Sequence, residues 1–285
     1  MNSAVLQLIG FIKASRIPNL TVIAVCQVFT SLFLLGLPLA QLLEIRFALL
    51  IVSTQMIAAA GYIINDYYDQ KIDMINRPER VVVGVDFKRR QALLAHTFLS
   101  LAGFGVGFYL HWVIGLIHFF SAFFLWYYSN QLRRLPLIGN LVIAALAGMT
   151  FLIVTVFYFQ YNRLVMIYAF FAFIIILLRE IIKDVEDVKG EAAFGCTTIP
   201  VIWGINGAKT VIYVIILAGS WLLAYFLWDE QRLLLSLYFM SLLPVFMWFV
   251  YKLYQADSHR DFILLHQLVN WIVFTGIVSI VFIYG

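Results

Sequence analysis

Nine runs of predominantly apolar residues follow one another along the chain, at about 18–38, 46–64, 91–110, 112–130, 137–160, 164–182, 209–228, 233–253 and 264–284. Each is close to the roughly 20 residues that an α-helix needs to cross a bilayer core. Lipid offers no water to backbone N–H and C=O groups, so such runs are confined to helices that satisfy their own hydrogen bonds. With 64% hydrophobic and 12% charged residues over 285 positions, the chain lies outside the soluble globular range. The pattern predicts an all-α polytopic membrane protein with nine transmembrane helices. No segment between the runs is long enough for a second domain, so residues 1–285 are expected to form one unit.

Charge tests the count. If the nine runs are right, Lys13, Arg16, Lys71, Arg77, Arg80, Lys88, Arg89, Arg90, Arg133, Arg134, Arg179, Lys183, Lys189, Lys209, Lys252 and Arg260 share one side of the membrane. Arg46, Arg163 and Arg232 alone fall on the other, a split of 16 to 3. The positive-inside rule then places the N-terminus in the cytoplasm. The net charge of +4 is accounted for by this asymmetry and by anionic headgroups, without a nucleic-acid partner. No cleaved signal peptide is expected, and Cys26 and Cys196 form no metal or disulfide pattern.

Ten of the fifteen Asp and Glu residues fall in two cytoplasmic loop regions, 66–86 and 180–191. Each region holds a triplet of the same spacing, Asp66-x2-Asp69-x3-Asp73 and Asp184-x2-Asp187-x3-Glu191. At about 100° per helical residue, positions i, i+3 and i+7 fall within a sector of about 60°. Carboxylates held that close repel one another, and a hard divalent cation such as Mg²⁺ relieves the repulsion, with substrate phosphates completing its shell. Four crossings separate the clusters, so the helices that carry them run in the same direction. Lys71, Arg77 and Arg80 flank the first, and Arg179, Lys183 and Lys189 flank the second. Acids and bases at the mouth of an apolar bundle point to a diphosphate with a long hydrocarbon tail, the chemistry of a prenyl diphosphate.

The first cluster reads Asn65-Asp66-x2-Asp69-x3-Asp73, and with the second cluster and nine helices it resembles the UbiA family of intramembrane prenyltransferases. The resemblance spans essentially the whole chain. It implies a helical bundle around a central cavity, in which Mg²⁺ and the acidic motifs hold an isoprenoid diphosphate. It also implies transfer of the prenyl group to a lipid-soluble or amphiphilic acceptor. On this basis Asp69, Asp73, Asp184 and Asp187 form the catalytic metal-binding core, supported by Asn65, Asp66 and Glu191. Arg77, Arg80, Arg133 and Lys183 are expected to bind the diphosphate or an anionic acceptor head, and Tyr128, with Tyr67 or Tyr68, to face the allylic cation. Asn19 either faces the cavity, as polar residues do there in the family, or is a simple N-terminal polar residue.

Within the family, Asn-Asp-Tyr-Tyr-Asp-x3-Asp-x-Ile-Asn at 65–76, Tyr-Ser-x2-Leu-Arg at 128–133 and Arg-Glu-Ile-Ile-Lys-Asp-x-Glu-Asp-x2-Gly-Glu at 179–191 are most similar to the branch that geranylgeranylates geranylgeranylglyceryl phosphate in ether-lipid synthesis. Two departures stand out: Val81 and Val83 replace the usual Pro and Ser, and Glu191 replaces Asp. Gly190 is expected to interrupt the helix before Glu191. Three other readings remain open from the residues alone: an aromatic prenyltransferase of quinone biosynthesis, a terpene cyclase, and an ion-coupled transporter. The last is disfavoured because the acids sit at one face instead of mid-span. None of the five histidines forms a ligand pair, and His111 and His118 are expected at the interface away from the acids.

Overall fold

Residues 3–228 and 233–281 are described by the structure, a computed structural model. Its helices are α1 (Ser3–Ala14), α2 (Ile17–Phe29, prolonged by a π-turn at Thr30–Leu34), the short α3 (Leu39–Leu42), α4 (Ile45–Asn76), α5 (Arg89–Leu110), α6 (Trp112–Asn130), α7 (Ile138–Tyr158), α8 (Arg163–Ala193), α9 (Ile199–Leu227), α10 (Leu233–Gln255) and α11 (His259–Ser279). Among the described residues nine helices are long and apolar enough to cross a membrane, as the apolar runs predict. Arg232 and the last residues of the ninth run lie outside the described residues.

Local chemistry sets the helix ends. Pro18 and Pro200 sit in first turns, where a missing N–H costs nothing. Asn162 caps α8 by accepting from the Leu164 N–H, and Ser258 with Asp261 forms a capping box on α11. Tyr109, Trp112, Phe159 and Tyr161, at the ends of α5–α6 and the α7–α8 turn, are all largely exposed, the arrangement of an interfacial aromatic belt.

α4 and α8, at 32 and 31 residues, are the longest helices and the most buried spans. At about 1.5 Å per residue each exceeds the hydrocarbon core by several turns. The excess carries the acidic clusters. The expectation of acids in loops is therefore corrected: both triplets ride on continuous helix. Nor does Gly190 interrupt α8, which runs to Ala193. A lone glycine costs a helix only about 1 kcal/mol, and burial against α4 outweighs it.

Three further differences concern the periphery. α1 has no counterpart among the nine apolar runs; its Phe11 and Ala14 pack on Val83, Phe87 and Ile63. α9 begins at Ile199, ten residues earlier than its apolar run, and Gly204, with a positive φ of 70°, kinks it ahead of that run. His118 is not interfacial: it is 2% exposed and its Nε2 lies 3.3 Å from Thr54 Oγ1, which accepts from Gln27 Nε2. His118 thus belongs to a polar chain that links helices inside the bundle. Both cysteines are free and buried.

Candidate active site

On α4 the helical period turns Asn65, Asp66, Asp69 and Asp73 to one wall of a cavity of about 1070 Å³. α8 contributes Arg179, Glu180, Lys183 and Glu186 to the facing wall, and α11 contributes His266 and Asn270. Arg77, Asn19 and Tyr128 complete the charged end. Beyond it the walls become mostly apolar, with Ile57, Ile143, Leu146, Phe151, Ile175 and Ile277 among them.

Four more of the residues expected at the site, Asp184, Asp187, Glu191 and Arg133, stand behind that wall. Arg133 is 6% exposed. Its guanidinium pairs with Asp69 and lies 3.6 Å from Asp187 Oδ2, bridging the two clusters. Asp184 Oδ2 accepts from Asn140 Nδ2 on α7 at 2.8 Å. Glu191 Oε2 accepts from Thr198 Oγ1 at 2.6 Å. Triplets of the same spacing thus meet different surroundings, because α8 is enclosed by α4, α7, α9 and α11. Arg80 lines the rim but is mostly exposed, and its nearest ionic partner among the described residues is Glu79, at 4.0 Å.

Arg77, expected at the site, and Asn76 and Arg16, not expected there, complete the network. Arg77 donates to Glu186 Oε2 at 2.6 Å and approaches Asp187 Oδ1 at 3.1 Å without the alignment of a hydrogen bond. The Asn76 side chain clasps α8, donating to the Asp187 carbonyl at 2.9 Å and accepting from the Gly190 N–H at 3.0 Å. A Cβ on Gly190 would stand 2.8 Å from the Ile72 carbonyl oxygen, so only glycine permits this approach. Arg16 pairs with Asp66 at 2.6 Å and lies 5.2 Å from the centre of the Tyr62 ring. Burial opposes the Arg16 charge, but Asp66 holds the guanidinium above its ordinary value.

Glu180 is legible in principle: it stands three and four residues before Lys183 and Asp184, so the helical period extends backwards to it. His266 and Asn270, at i and i+4 in an apolar helix, are a comparable signal.

The oxygen donors on the wall are of the hard type that suits Mg²⁺. Asp187 Oδ1 makes no hydrogen bond, and the space between Asp69 and Asp187 already takes a cation, the Arg133 guanidinium. Among the described residues no three carboxylate, imidazole or thiol groups converge on a single point. The donor set fits a divalent cation in kind, and a cation held between Asp69 and Asp187 would have to displace the Arg133 guanidinium.

The profile of the UbiA prenyltransferase family matches residues 24–273. A digeranylgeranylglyceryl phosphate synthase of Thermococcus gammatolerans is 32% identical over 96% of this chain and 99% of its own length. That of Methanothermobacter thermautotrophicus is 33% identical over 70% of this chain and 69% of its own. A solved structure of a digeranylgeranylglyceryl phosphate synthase superposes with a TM-score of 0.73 at 22% identity, over 98% of each chain. A UbiA homologue from Archaeoglobus fulgidus bound to GPP and Mg²⁺ superposes with a TM-score of 0.68 at 14% identity, over 95% of this chain and 99% of that one. These two superpositions establish a shared fold.

Proposed function

Because this chain belongs to the UbiA prenyltransferase family, we propose that it transfers a geranylgeranyl group from its diphosphate to a hydroxyl of geranylgeranylglyceryl phosphate, in ether-lipid synthesis. One observation carries the reading: a single cavity joins a charged end to a long, mostly apolar interior. The acceptor follows from the digeranylgeranylglyceryl phosphate synthases that the chain resembles along nearly its whole length.

Asn65, Asp66, Asp69 and Asp73, with Asp184, Asp187 and Glu191 behind them, would hold Mg²⁺, which when bound neutralises diphosphate charge and makes it a better leaving group. Lys183 from the facing wall and Arg77 from the end of α4 bind phosphate oxygens, and Arg80 attracts anionic substrates at the rim. The donor's C1–O bond breaks, and diphosphate keeps the bonding pair. Tyr67 and Tyr68, expected beside Tyr128, are not among the residues that line the cavity, so Tyr128 and Tyr62 present the aromatic faces to the resulting allylic cation. The acceptor hydroxyl oxygen bonds to C1 and gives up its proton. Apolar walls keep water from the cation, so the tail cavity also protects the reaction. The charge asymmetry supports a cytoplasmic N-terminus and a charged end open to the cytoplasm. Residues 1–285 act in this reading as one catalytic unit.

The test is to incubate purified protein with Mg²⁺, labelled geranylgeranyl diphosphate and a panel of acceptors, and to identify the lipids by mass spectrometry. A diether product on geranylgeranylglyceryl phosphate is expected. Prenylated aromatic acid, or cyclised hydrocarbon without acceptor, would replace this reading with another.

A further inference from the structure

Attack by an alcohol on an allylic cation leaves a protonated ether oxygen, and a cavity that excludes water has few ways to remove that proton. Resting on the functional reading above, we infer that His266, oriented by Glu186, is the general base that takes the acceptor's hydroxyl proton.

Glu186 is 5% exposed, and its Oε1 lies 2.7 Å from His266 Nδ1. A carboxylate only accepts, so Nδ1 carries the proton of this hydrogen bond, and Nε2 of the neutral ring is left with its lone pair. Glu186 Oε2 is itself held by Arg77 at 2.6 Å, which fixes the carboxylate that fixes the ring. Base and orienting group therefore come from different helices, α11 and α8, locked by an arginine at the end of α4. That is the arrangement in which an imidazole is kept in one tautomer and one orientation.

Location supports the role. His266 lines the same cavity as Asp66, Asp69, Asp73 and Lys183, at its charged end. Its side chain retains 14% exposure, enough to pass a proton onward. Glu186 follows Lys183 by three residues on α8, about 4.5 Å along the helix axis. The ring held by Glu186 therefore stands within about one helical turn of Lys183, beside the basic groups that bind phosphate in this reading. Arg179 and Asn270, hydrogen-bonded at 2.9 Å, brace the next turn of α11. Arg179, Glu180, Lys183 and Arg77 are among the charged groups that share this end of the cavity with the dyad, together with Asp66, Asp69 and Asp73.

In the step, the hydroxyl O–H bond breaks and its proton moves to His266 Nε2. The oxygen bonds to C1 as diphosphate departs, and the imidazolium returns its proton to solvent at the cavity mouth. No oxidant or further reactant is involved.

Ionisation and transfer can be read separately. Donor labelled with ¹⁸O at the bridging position scrambles the label whenever the C1–O bond breaks and re-forms. In H266Q, transfer to geranylgeranylglyceryl phosphate is expected to fall about 10²-fold or more, while scrambling stays within a few-fold of wild type. Transfer within a few-fold of wild type, or an equal fall in both, overturns the assignment, because a ring that merely held the helices together would damage both. If H266Q does not melt like wild type, H266A with added imidazole decides: recovered transfer supports the base, and none overturns it. Wild-type protein that scrambles the donor but never prenylates this acceptor removes the functional reading, which is a different outcome from failure of the dyad alone.

Discussion

Asn140 on α7 donates from Nδ2 to Asp184 Oδ2 at 2.8 Å, so the leading acid of the second cluster is held by a neutral amide from a neighbouring helix. Both residues are buried, Asn140 at 5% and Asp184 at 8% exposure. A carboxylate in such a place keeps its charge only through partners. Asn140→Ala removes one, and leaving a buried acceptor unsatisfied costs about 1–3 kcal/mol. A lower melting temperature in detergent is the expected result. Wild-type melting would show that Asp184 does not depend on this bond.

Asp69 lines the cavity and carries the Arg133 pair. Asp69→Ala is expected to reduce prenyl transfer at least 100-fold, on the scale of losing a principal electrostatic group, and Asp184→Ala to abolish it as well. Chelation with EDTA should silence the wild type, and Mg²⁺ should restore it. Turnover of Asp69→Ala close to wild type, measured by product mass spectrometry, would exclude that residue from the metal-binding core.

Gly190 allows α8 to reach α4. In Gly190→Ala the new Cβ would meet the Asn76 amide nitrogen at 2.6 Å and the Ile72 carbonyl oxygen at 2.8 Å. Overpacking of this kind costs about 1–3 kcal/mol. The shift separates the two acidic clusters, so activity should fall more than thermal stability does. The combination of melting curve and turnover rate checks this. Full activity in the variant would mean that the helix spacing is not critical.

Burial pushes the Cys196 thiol above its ordinary range, and the Glu191 carboxylate pushes it further. Alkylation at neutral pH should therefore be slow and should accelerate as pH rises and thiolate forms. Glu191→Gln removes a negative charge that disfavours the thiolate, so the variant should react faster than wild type at the same pH. Iodoacetamide labelling followed by mass spectrometry reads both rates. Equal rates would show that the charge of Glu191 does not reach the thiol.

Much of this protein is determined by sequence alone, for a physical reason. A lipid environment leaves runs of about 20 apolar residues with a single solution, so nine runs mean nine helices long enough to span it, the number found among the described residues. The i, i+3, i+7 spacing puts Asp66, Asp69 and Asp73 on one helix face, and that face is a cavity wall. Periodicity, however, describes one helix at a time and says nothing of its neighbours. It does not show that α7 offers Asn140 to Asp184, or that Arg133 stands between Asp69 and Asp187. It places the acids in loops because charge ends an apolar run, whereas burial between helices extends α4 and α8 well past that point. The pairing of His266 with Glu186, 80 residues apart in the chain, exists only because α11 packs on α8. Hydrophobic pattern chose the helices, and their packing chose which charged groups meet.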